Sequence, residues 1–146
     1  MTERTVYQSM PRRLLVCLPP TASVHEAACV MTRANCGSVL VVGAGTQLLG
    51  IVTERDLMTR VVAKAADPAT TTLAAVMTPN PRCIGPDTKV EDAVLVMLER
   101  GFRHLPVVGE GGTILGVFSA RDALPREIGA AVSLAEFNEQ VNDSLG

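Results

Sequence analysis

The residues of this chain that are best suited to binding chemistry occur in two copies of one short pattern. Gly50-Ile51-Val52-Thr53 precedes Asp56, and Gly116-Val117-Phe118-Ser119 precedes Asp122. A carboxylate accepts hydrogen bonds from ligand hydroxyls, and a Ser or Thr hydroxyl can donate one to an anionic oxygen. The same spacing is typical of a capping box, in which both side chains bond backbone amides at a helix start. The pattern therefore predicts ligand sites, helix caps, or both.

Cationic side chains accompany only the second copy. Arg103 and His104 precede its apolar run, whereas Gly37 and Ser38 occupy the equivalent positions of the first copy. The two copies therefore differ in charge at this position.

Residues for catalysis or metal binding are not grouped in the sequence. No nucleophile, base and orienting group occur together, which predicts no catalytic residues, no catalytic cofactor and no enzyme activity. Cys17, Cys29, Cys36 and Cys83 form no Cys-x-x-Cys pair. Their mostly apolar surroundings predict reduced, buried thiols and no metal site.

The amino-acid composition limits the kinds of partner that this protein is expected to bind. The 146 residues are 47% hydrophobic, and 13 basic residues are balanced by 15 acidic ones. Such a balance creates no general attraction for nucleic acid or an anionic membrane. Residues 1–5 lack the apolar stretch of a signal peptide, and no run approaches the roughly 20 residues of a membrane span. We expect a cytoplasmic protein with neither nucleic acid nor membrane as a partner.

The two patterns are the ends of a longer internal repeat with an offset of 66 residues. Residues 16–57 align with the later copy without a gap, and Val41-Val42-Gly43 falls on Val107-Val108-Gly109. Copies of about 60 residues are small to be stable alone, so we expect them to share a core. Two copies also favour a pseudo-symmetric pair over a solenoid.

Each copy predicts the order strand, helix, strand, strand, helix. Capping boxes are expected at Ser23-x-x-Glu26 and Thr88-x-x-Glu91, and left-handed C-caps at Asn35 and Gly101. The predicted segments are strands at 16–18, 39–42 and 48–52 with a second helix from 54 to about 65, then strands at 82–84, 105–108 and 114–118.

A further helix is predicted at the C-terminus. Pro125 is expected to interrupt the second copy, and apolar residues then recur at helical spacing, at Ile128, Ala131, Leu134, Phe137, Val141 and Leu145. Such a stripe packs on its own domain or on a second copy of the chain. The expected boundaries are 10–68 for the first repeat, 74–128 for the second and 129–146 for the helix.

The repeated order resembles the cystathionine-beta-synthase (CBS) domain pair, also called the Bateman module. The second copy carries the resemblance most clearly, through Val76-Met77-Thr78-Pro79, Arg103-His104-Leu105-Pro106 and Ser119-x-x-Asp122. The resemblance implies an α+β fold in which two tandem β-α-β-β-α repeats pack as a pseudo-twofold module, followed by the C-terminal helix. It covers most of the chain, so we expect a stand-alone module.

The family also implies a ligand and its site. Adenine nucleotides bind CBS pairs in clefts between the repeats, where an Asp holds the ribose hydroxyls and hydroxyl and cationic side chains hold phosphate. Arg103 and His104 lie where the family places phosphate-binding cations, and a guanidinium suits a phosphate because it can form two parallel hydrogen bonds. The resemblance thus implies two unequal clefts; for His104, a structural role and a phosphate contact both stay open. Ile51 and Val117 would press on the adenine, and residues of the first strand of each repeat would line the clefts. The residues that the resemblance assigns to nucleotide binding are Val16, Cys17, Leu18, Ser38, Ile51, Thr53, Asp56, Arg82, Cys83, Ile84, Arg103, His104, Val117, Ser119 and Asp122.

The resulting hypothesis is a regulatory sensor. It would bind AMP, ADP, ATP or a related adenosyl compound and signal by a conformational change to a regulated protein partner. We expect a homodimer, because the helical stripes exceed what a small module covers by itself. The alternative is a dimeric interaction scaffold that needs no ligand.

Overall fold

The computed structural model describes residues 3–10 and 15–145. Its helices are α1 (Val6–Ser9), α2 (Val24–Ala34), α3 (Glu54–Leu57), α4 (Leu73–Val76), α5 (Val90–Arg100) and α6 (Pro125–Leu145). Its strands are β1 (Cys17–Leu18), β2 (Ser38–Val42), β3 (Leu48–Thr53), β4 (Thr78–Pro79), β5 (His104–Val108) and β6 (Ile114–Ser119). This is the α+β composition expected from the sequence, with the C-terminal helix in place.

The described residues form two compact units. One, which we call the N-terminal unit, contains residues 15–82 and 112–114; the other, the C-terminal unit, contains residues 3–10, 83–111 and 115–145. Helix α1 therefore belongs with the second half of the chain, and α4 and β4 belong with the first half. The compact units and the sequence repeats thus differ in their opening segments.

A four-stranded sheet organises the N-terminal unit, in the order β1-β2-β3-β4. Strand β1 runs parallel to β2, and the pairs β2–β3 and β3–β4 are antiparallel. Helical spacing of Val24, Ala27, Ala28 and Met31 predicts an apolar face for α2. Val24, Ala27 and Met31 are buried and Ala28 is half-buried. The three buried residues pack in one cluster with Val39, Val41, Val52, Val61, Leu73 and Val76.

The C-terminal unit is built around the β5–β6 pair and the two long helices α5 and α6. Its core is mostly aliphatic and holds Val6, Ile84, Val90, Ala93, Val94, Met97, Leu105, Val107, Phe118 and Ala131. Val6 comes from α1 and is fully buried, so the N-terminal segment is part of this core. Ile84 forms a single parallel bridge to Val107, which is less than the strand predicted at 82–84.

The predicted C-caps are confirmed, but only one of the two predicted N-caps is present. Asn35 (φ 52°) and Gly101 (φ 75°) end α2 and α5 in the left-handed conformation. The Ser23 hydroxyl accepts from the Glu26 amide at 3.1 Å. Thr88 does not cap α5. That helix begins at Val90 after the N-cap residue Lys89, whose ammonium group cannot accept a hydrogen bond from a helix amide. The Val90 amide donates to the Arg4 carbonyl at 3.0 Å, as the Val24 amide donates to the Thr71 carbonyl at 2.9 Å in the first repeat.

The second helix of each repeat differs from its prediction. In the first repeat, α3 passes into a π-helical turn over Met58–Val62 and ends before residue 65. In the second, Ala120–Asp122 form only a 3-10 turn. Pro125 does not interrupt a helix; it begins α6, four residues before the predicted boundary. Proline is favoured at a first helical position because the amide that it lacks has no partner there.

Helix α6 buries one side and exposes much of its predicted stripe. Ala131 is buried in the core, whereas Ile128, Leu134, Phe137 and Val141 are exposed, Phe137 to 60%. The stripe is therefore apolar, as predicted, but α5 covers only part of it.

The prediction of buried thiols is wrong for two cysteines. Cys17 and Cys29 are exposed, and Cys36 and Cys83 are half-buried. Strand alternation turns Cys17 away from the core, and Cys29 lies on the outer face of α2. Partial burial still raises the pKa of the Cys17 and Cys83 thiols, which favours their protonated form.

The motif glycine Gly50 is required by the close approach of β4. A Cβ at this position would lie 2.6 Å from Met77 Sδ and 2.8 Å from the Thr78 carbonyl oxygen. We expect Gly50→Ala to lower the free energy of unfolding by about 1–3 kcal/mol in urea titrations, because the backbone must shift. Gly129→Ala in α6 is the matched control; its Cβ meets open space, and we expect about 0.5–1 kcal/mol of stabilisation. An unchanged urea midpoint for Gly50→Ala would contradict this close approach.

Candidate functional site

The first Thr-x-x-Asp pattern lies where β3 passes into α3. The Thr53 amide donates to Asp56 Oδ2 at 2.9 Å, and the Asp56 amide donates to Thr53 Oγ1 at 3.3 Å. These reciprocal bonds are a complete capping box.

The second pattern repeats this arrangement after β6. The Ser119 amide donates to Asp122 Oδ2 at 2.9 Å, and the Arg121 amide donates to Ser119 Oγ at 3.4 Å. Both copies thus contain the cap that the spacing predicts. A carboxylate has about four acceptor positions on two oxygens, so the cap leaves Oδ1 available for a second role.

The two carboxylates differ in their surroundings. Asp56 is buried, and its Oδ1 lies 3.7 Å from Nε of Arg60. Arg60 Nη1 donates to the carbonyls of Val76 at 2.7 Å and Met77 at 3.2 Å. Asp122 is half-buried, and within residues 3–10 and 15–145 no hydrogen bond reaches its Oδ1. Asp56 Oδ1 therefore lies near the exposed Arg60, whereas no hydrogen bond within the described ranges reaches Asp122 Oδ1.

Backbone bonds bring the predicted cation to the second turn. The Ala120 amide donates to the Arg103 carbonyl at 3.0 Å, so Arg103 lies beside the Ser119–Asp122 turn, and its side chain is exposed. In the first copy Glu54 donates to the Gly37 carbonyl at the same distance, 3.0 Å. Glycine supplies no charge there, and Ser38 is buried. His104 is half-buried on β5.

The remaining residues predicted for the site divide between core and surface. Val16 and Leu18 pack against the core of the N-terminal unit, and Ile84 lies in the core of the C-terminal unit. Ile51 is buried, whereas its counterpart Val117 is half-buried. Cys17 and Arg82 are exposed and Cys83 is half-buried.

Sequence reasoning missed an ion pair next to Asp122. Arg4 Nε donates to Glu127 Oε2 at 3.1 Å, and Nη2 donates to Glu127 Oε1 at 2.7 Å and to the Asp122 carbonyl at 3.1 Å. The hydrogen bond from Arg4 lowers the pKa of Glu127, and the same bond raises the pKa of Arg4. One signal was available: Glu127 aligns with the apolar Val61 of the first repeat.

Among the described residues there is neither a cluster of metal ligands nor a helix that could span a membrane. Residues 3–10 and 15–145 contain no group of three or more His, Cys, Asp or Glu side chains placed to hold a metal ion. Over the same part of the chain, no helix combines the length and the apolarity that crossing a membrane requires.

Two α+β repeats that each end in a capped Thr/Ser-x-x-Asp turn define a tandem-repeat module. The CBS domain family model matches the chain twice, at residues 8–63 and 73–127. The chain belongs to the CBS domain family, and tandem CBS domains are typically regulatory.

Two proteins of similar sequence are longer than this chain. It is 34% identical over 143 residues to the meiotically up-regulated gene 70 protein of Schizosaccharomyces pombe, covering 88% of this chain but 20% of that protein. It is 35% identical over 103 residues to a 17.7 kDa protein of Acidianus ambivalens, covering 70% of this chain and 61% of that one. The matches thus span less than two thirds of either relative.

Solved structures share the fold. A CBS domain protein of Pyrobaculum aerophilum complexed with AMP superposes with a TM-score of 0.78 at 25% identity, over 90% of this chain and 100% of that chain. A protein of Burkholderia ambifaria, described as a signal-transduction protein with CBS domains, gives 0.72 at 30% identity, over 80% and 86%. A hexameric CBS-CP12 protein of bloom-forming cyanobacteria gives 0.76 at 25% identity, over 84% and 67%.

Proposed function

We propose that this chain is a regulatory module that binds an adenine nucleotide through the Ser119–Asp122 turn of its C-terminal unit. Asp122 accepts hydrogen bonds from the ribose hydroxyls through Oδ1, and Arg103 binds phosphate. Binding changes the conformation of the module, and a protein partner responds to that change. The module itself is not an enzyme.

The observation that carries this proposal is the open Asp122 carboxylate beside an exposed guanidinium. Oδ2 is held by the Ser119 amide, which orients the carboxylate, while Oδ1 has no partner within the described ranges. The backbone bond from Ala120 to Arg103 brings a cation to the same turn. An acceptor for a ribose and a cation for a phosphate are the groups that a nucleotide requires. The AMP complex of the similar Pyrobaculum aerophilum protein supports AMP as the first ligand to test.

The turn of the N-terminal unit is proposed as the weaker site. Asp56 faces Arg60, so a ribose there competes with an internal ion pair. Gly37 and Ser38 bring no cation to this turn. A nucleotide at Thr53 and Asp56 therefore gains less from charge than one at Ser119 and Asp122.

Binding itself is the test that separates the sensor from a ligand-independent scaffold. We expect AMP, ADP or ATP to raise the melting temperature and to release or absorb heat in calorimetry. At about 100 times its dissociation constant, a ligand stabilises the native state by about 2.7 kcal/mol. S-adenosylmethionine tests the wider adenosyl class, and GMP is the control for the base. If no adenosyl compound gives heat or stabilisation at millimolar concentration, the scaffold is the better description.

We also propose that the chain forms a homodimer through the apolar surface of α5 and α6. Leu98 and Phe102 of the α5 region are exposed, as are Phe137 and Val141 of α6. Exposed apolar patches of this kind commonly mark self-association, and the hexameric CBS-CP12 protein shows that a similar fold assembles with itself.

Light scattering at micromolar concentration tests this assembly. We expect the mass of a dimer for the wild type and a monomer for Phe137→Asp with Val141→Asp, because charge on the stripe opposes its burial. Glu139→Gln on the same helix is the control and should remain dimeric. A monomeric wild type would remove the claim.

A further inference from the structure

A partly buried ion pair, between Arg4 and the buried Glu127, connects the N-terminal segment to the candidate nucleotide turn. Glu127 is only 8% exposed. Its carboxylate accepts hydrogen bonds from two residues of the C-terminal unit, Arg4 and Leu124. Its Oε1 accepts from the Leu124 amide and from Arg4 Nη2, both at 2.7 Å, and its Oε2 accepts from Arg4 Nε at 3.1 Å. The second bond of Arg4 Nη2, at 3.1 Å, goes to the Asp122 carbonyl. We call Arg4 and Glu127 together the clasp.

The first repeat shows that the fold does not require a charge at this position. With the offset of 66 residues, Glu127 aligns with Val61. Arg4 corresponds to Thr71, because the Arg4 carbonyl accepts from the Val90 amide as the Thr71 carbonyl accepts from the Val24 amide. Val61 is buried in the apolar core of the N-terminal unit, and Thr71 is half-buried. A buried ion pair is costly to desolvate, and apolar replacements of similar volume are often neutral or stabilising. Packing alone therefore does not explain why a charged pair occurs at this position.

The backbone after Asp122 supplies that explanation. In the N-terminal unit the chain continues from Asp56 in helical conformation through Val62. After Asp122 it turns extended at Ala123 (φ −83°, ψ 144°), and α6 begins with Pro125, which has no amide hydrogen. The amides of Glu127 and Ile128 both bond the Leu124 carbonyl. Arg4 supplies the Asp122 carbonyl with a donor that a continuous helix would otherwise provide.

We propose that Arg4 and Glu127 are positioning residues for nucleotide binding at Asp122. Glu127 holds the guanidinium of Arg4 in one orientation, and Arg4 holds the Asp122 peptide so that the carboxylate faces the ligand. Val6, which is fully buried, and the bond from the Val90 amide to the Arg4 carbonyl anchor the segment that carries Arg4. Arg4 precedes the first family match, which begins at residue 8. The inference rests on the proposed function of Asp122.

The first experiment compares the clasp with a surface ion pair on the same segment. Arg4→Lys keeps the charge but loses the planar fork, and we expect it to weaken AMP binding about tenfold in calorimetry. Glu3 and Lys89 form an exposed pair at 2.7 Å, so Glu3→Gln is the matched control and should bind AMP within about twofold of wild type. Wild-type affinity in a folded Arg4→Lys variant would overturn the proposal.

If a single substitution in the clasp unfolds the protein, a double variant can still test whether the clasp is needed for AMP binding. Arg4→Thr with Glu127→Val installs the residues of the first repeat, so we expect a folded protein with reduced AMP affinity. A folded double variant that binds AMP as tightly as wild type would overturn the clasp as a positioning device.

Amide hydrogen exchange separates failure of the clasp from failure of the proposed function, because it needs no ligand. Without nucleotide, Arg4→Lys should speed exchange of the Ser119 and Ala120 amides at least tenfold, and Glu3→Gln should not. Unchanged exchange in Arg4→Lys would show that the clasp does not hold the turn. If exchange rises while the wild type binds no adenine nucleotide, the clasp stands as a brace of the turn and the proposed ligand is wrong.

Discussion

Replacing Asp122 with alanine is expected to weaken AMP binding by about 10- to 150-fold. Hydrogen bonds to a charged carboxylate contribute about 1.5–3 kcal/mol, and each 1.4 kcal/mol is a factor of ten in affinity. We expect this effect because alanine lacks the Oδ1 atom that is proposed to accept hydrogen bonds from the ribose hydroxyls. Calorimetric titration of wild type and variant with AMP measures it directly.

The same substitution also removes a cap, so stability must be measured beside affinity. Asp122 Oδ2 accepts from the Ser119 amide, and losing a helix cap typically costs about 0.5–2 kcal/mol. Asp122→Asn retains an oxygen acceptor for that amide and separates the two roles. A variant that is less stable but binds AMP normally would make Asp122 a cap alone.

Asp56→Ala is the companion variant in the other repeat. We expect a smaller loss of AMP affinity, because Asp56 is buried near Arg60 and Gly37 occupies the position equivalent to Arg103. Equal losses for the two aspartates would contradict the proposed inequality of the two turns.

Arg103→Ala is expected to reduce affinity for ATP about tenfold or more, for AMP less, and for adenosine by less than twofold. Each added phosphate raises the negative charge that the guanidinium binds, and a charge-assisted pair is about twice as strong as a neutral one. Added salt should act in the same direction, since an exposed cation is screened. Titration of wild type and variant with the three ligands measures the trend.

Arg100→Ala controls for loss of charge at a distance. Arg100 is the last residue of α5 and is exposed like Arg103, but the bond from the Ala120 amide goes to Arg103. We expect the Arg100 variant to bind ATP nearly as wild type does. An equal loss for adenosine, AMP and ATP in Arg103→Ala would place Arg103 outside the phosphate site.

Features that depend on local chemistry could be predicted from the sequence. Helical spacing of apolar residues predicted the buried face of α2, and Asn35 and Gly101 predicted left-handed helix ends because few residues adopt positive φ at low cost. The Thr/Ser-x-x-Asp spacing predicted capping boxes at Thr53 and Ser119. Apolar runs and helical spacing in each copy predicted the order of strands and helices, although Ile84 forms only a single bridge where the second copy was expected to have its first strand. In each case the interacting groups lie within a few residues of one another.

Features that depend on distant chain segments required the tertiary structure. Thr88 has the form of a cap, but α5 begins after Lys89, where residues 4–6 lie beside residues 88–90 and the Arg4 carbonyl accepts from the Val90 amide. The local sequence around Asp56 and Asp122 is alike, yet Arg60 faces one carboxylate and Arg4 holds the backbone of the other. Arg4 and Glu127 are 123 residues apart, a separation that no local periodicity encodes. Only the folded chain brings the guanidinium and the carboxylate together, and only there does the desolvation of Glu127 make their pairing necessary.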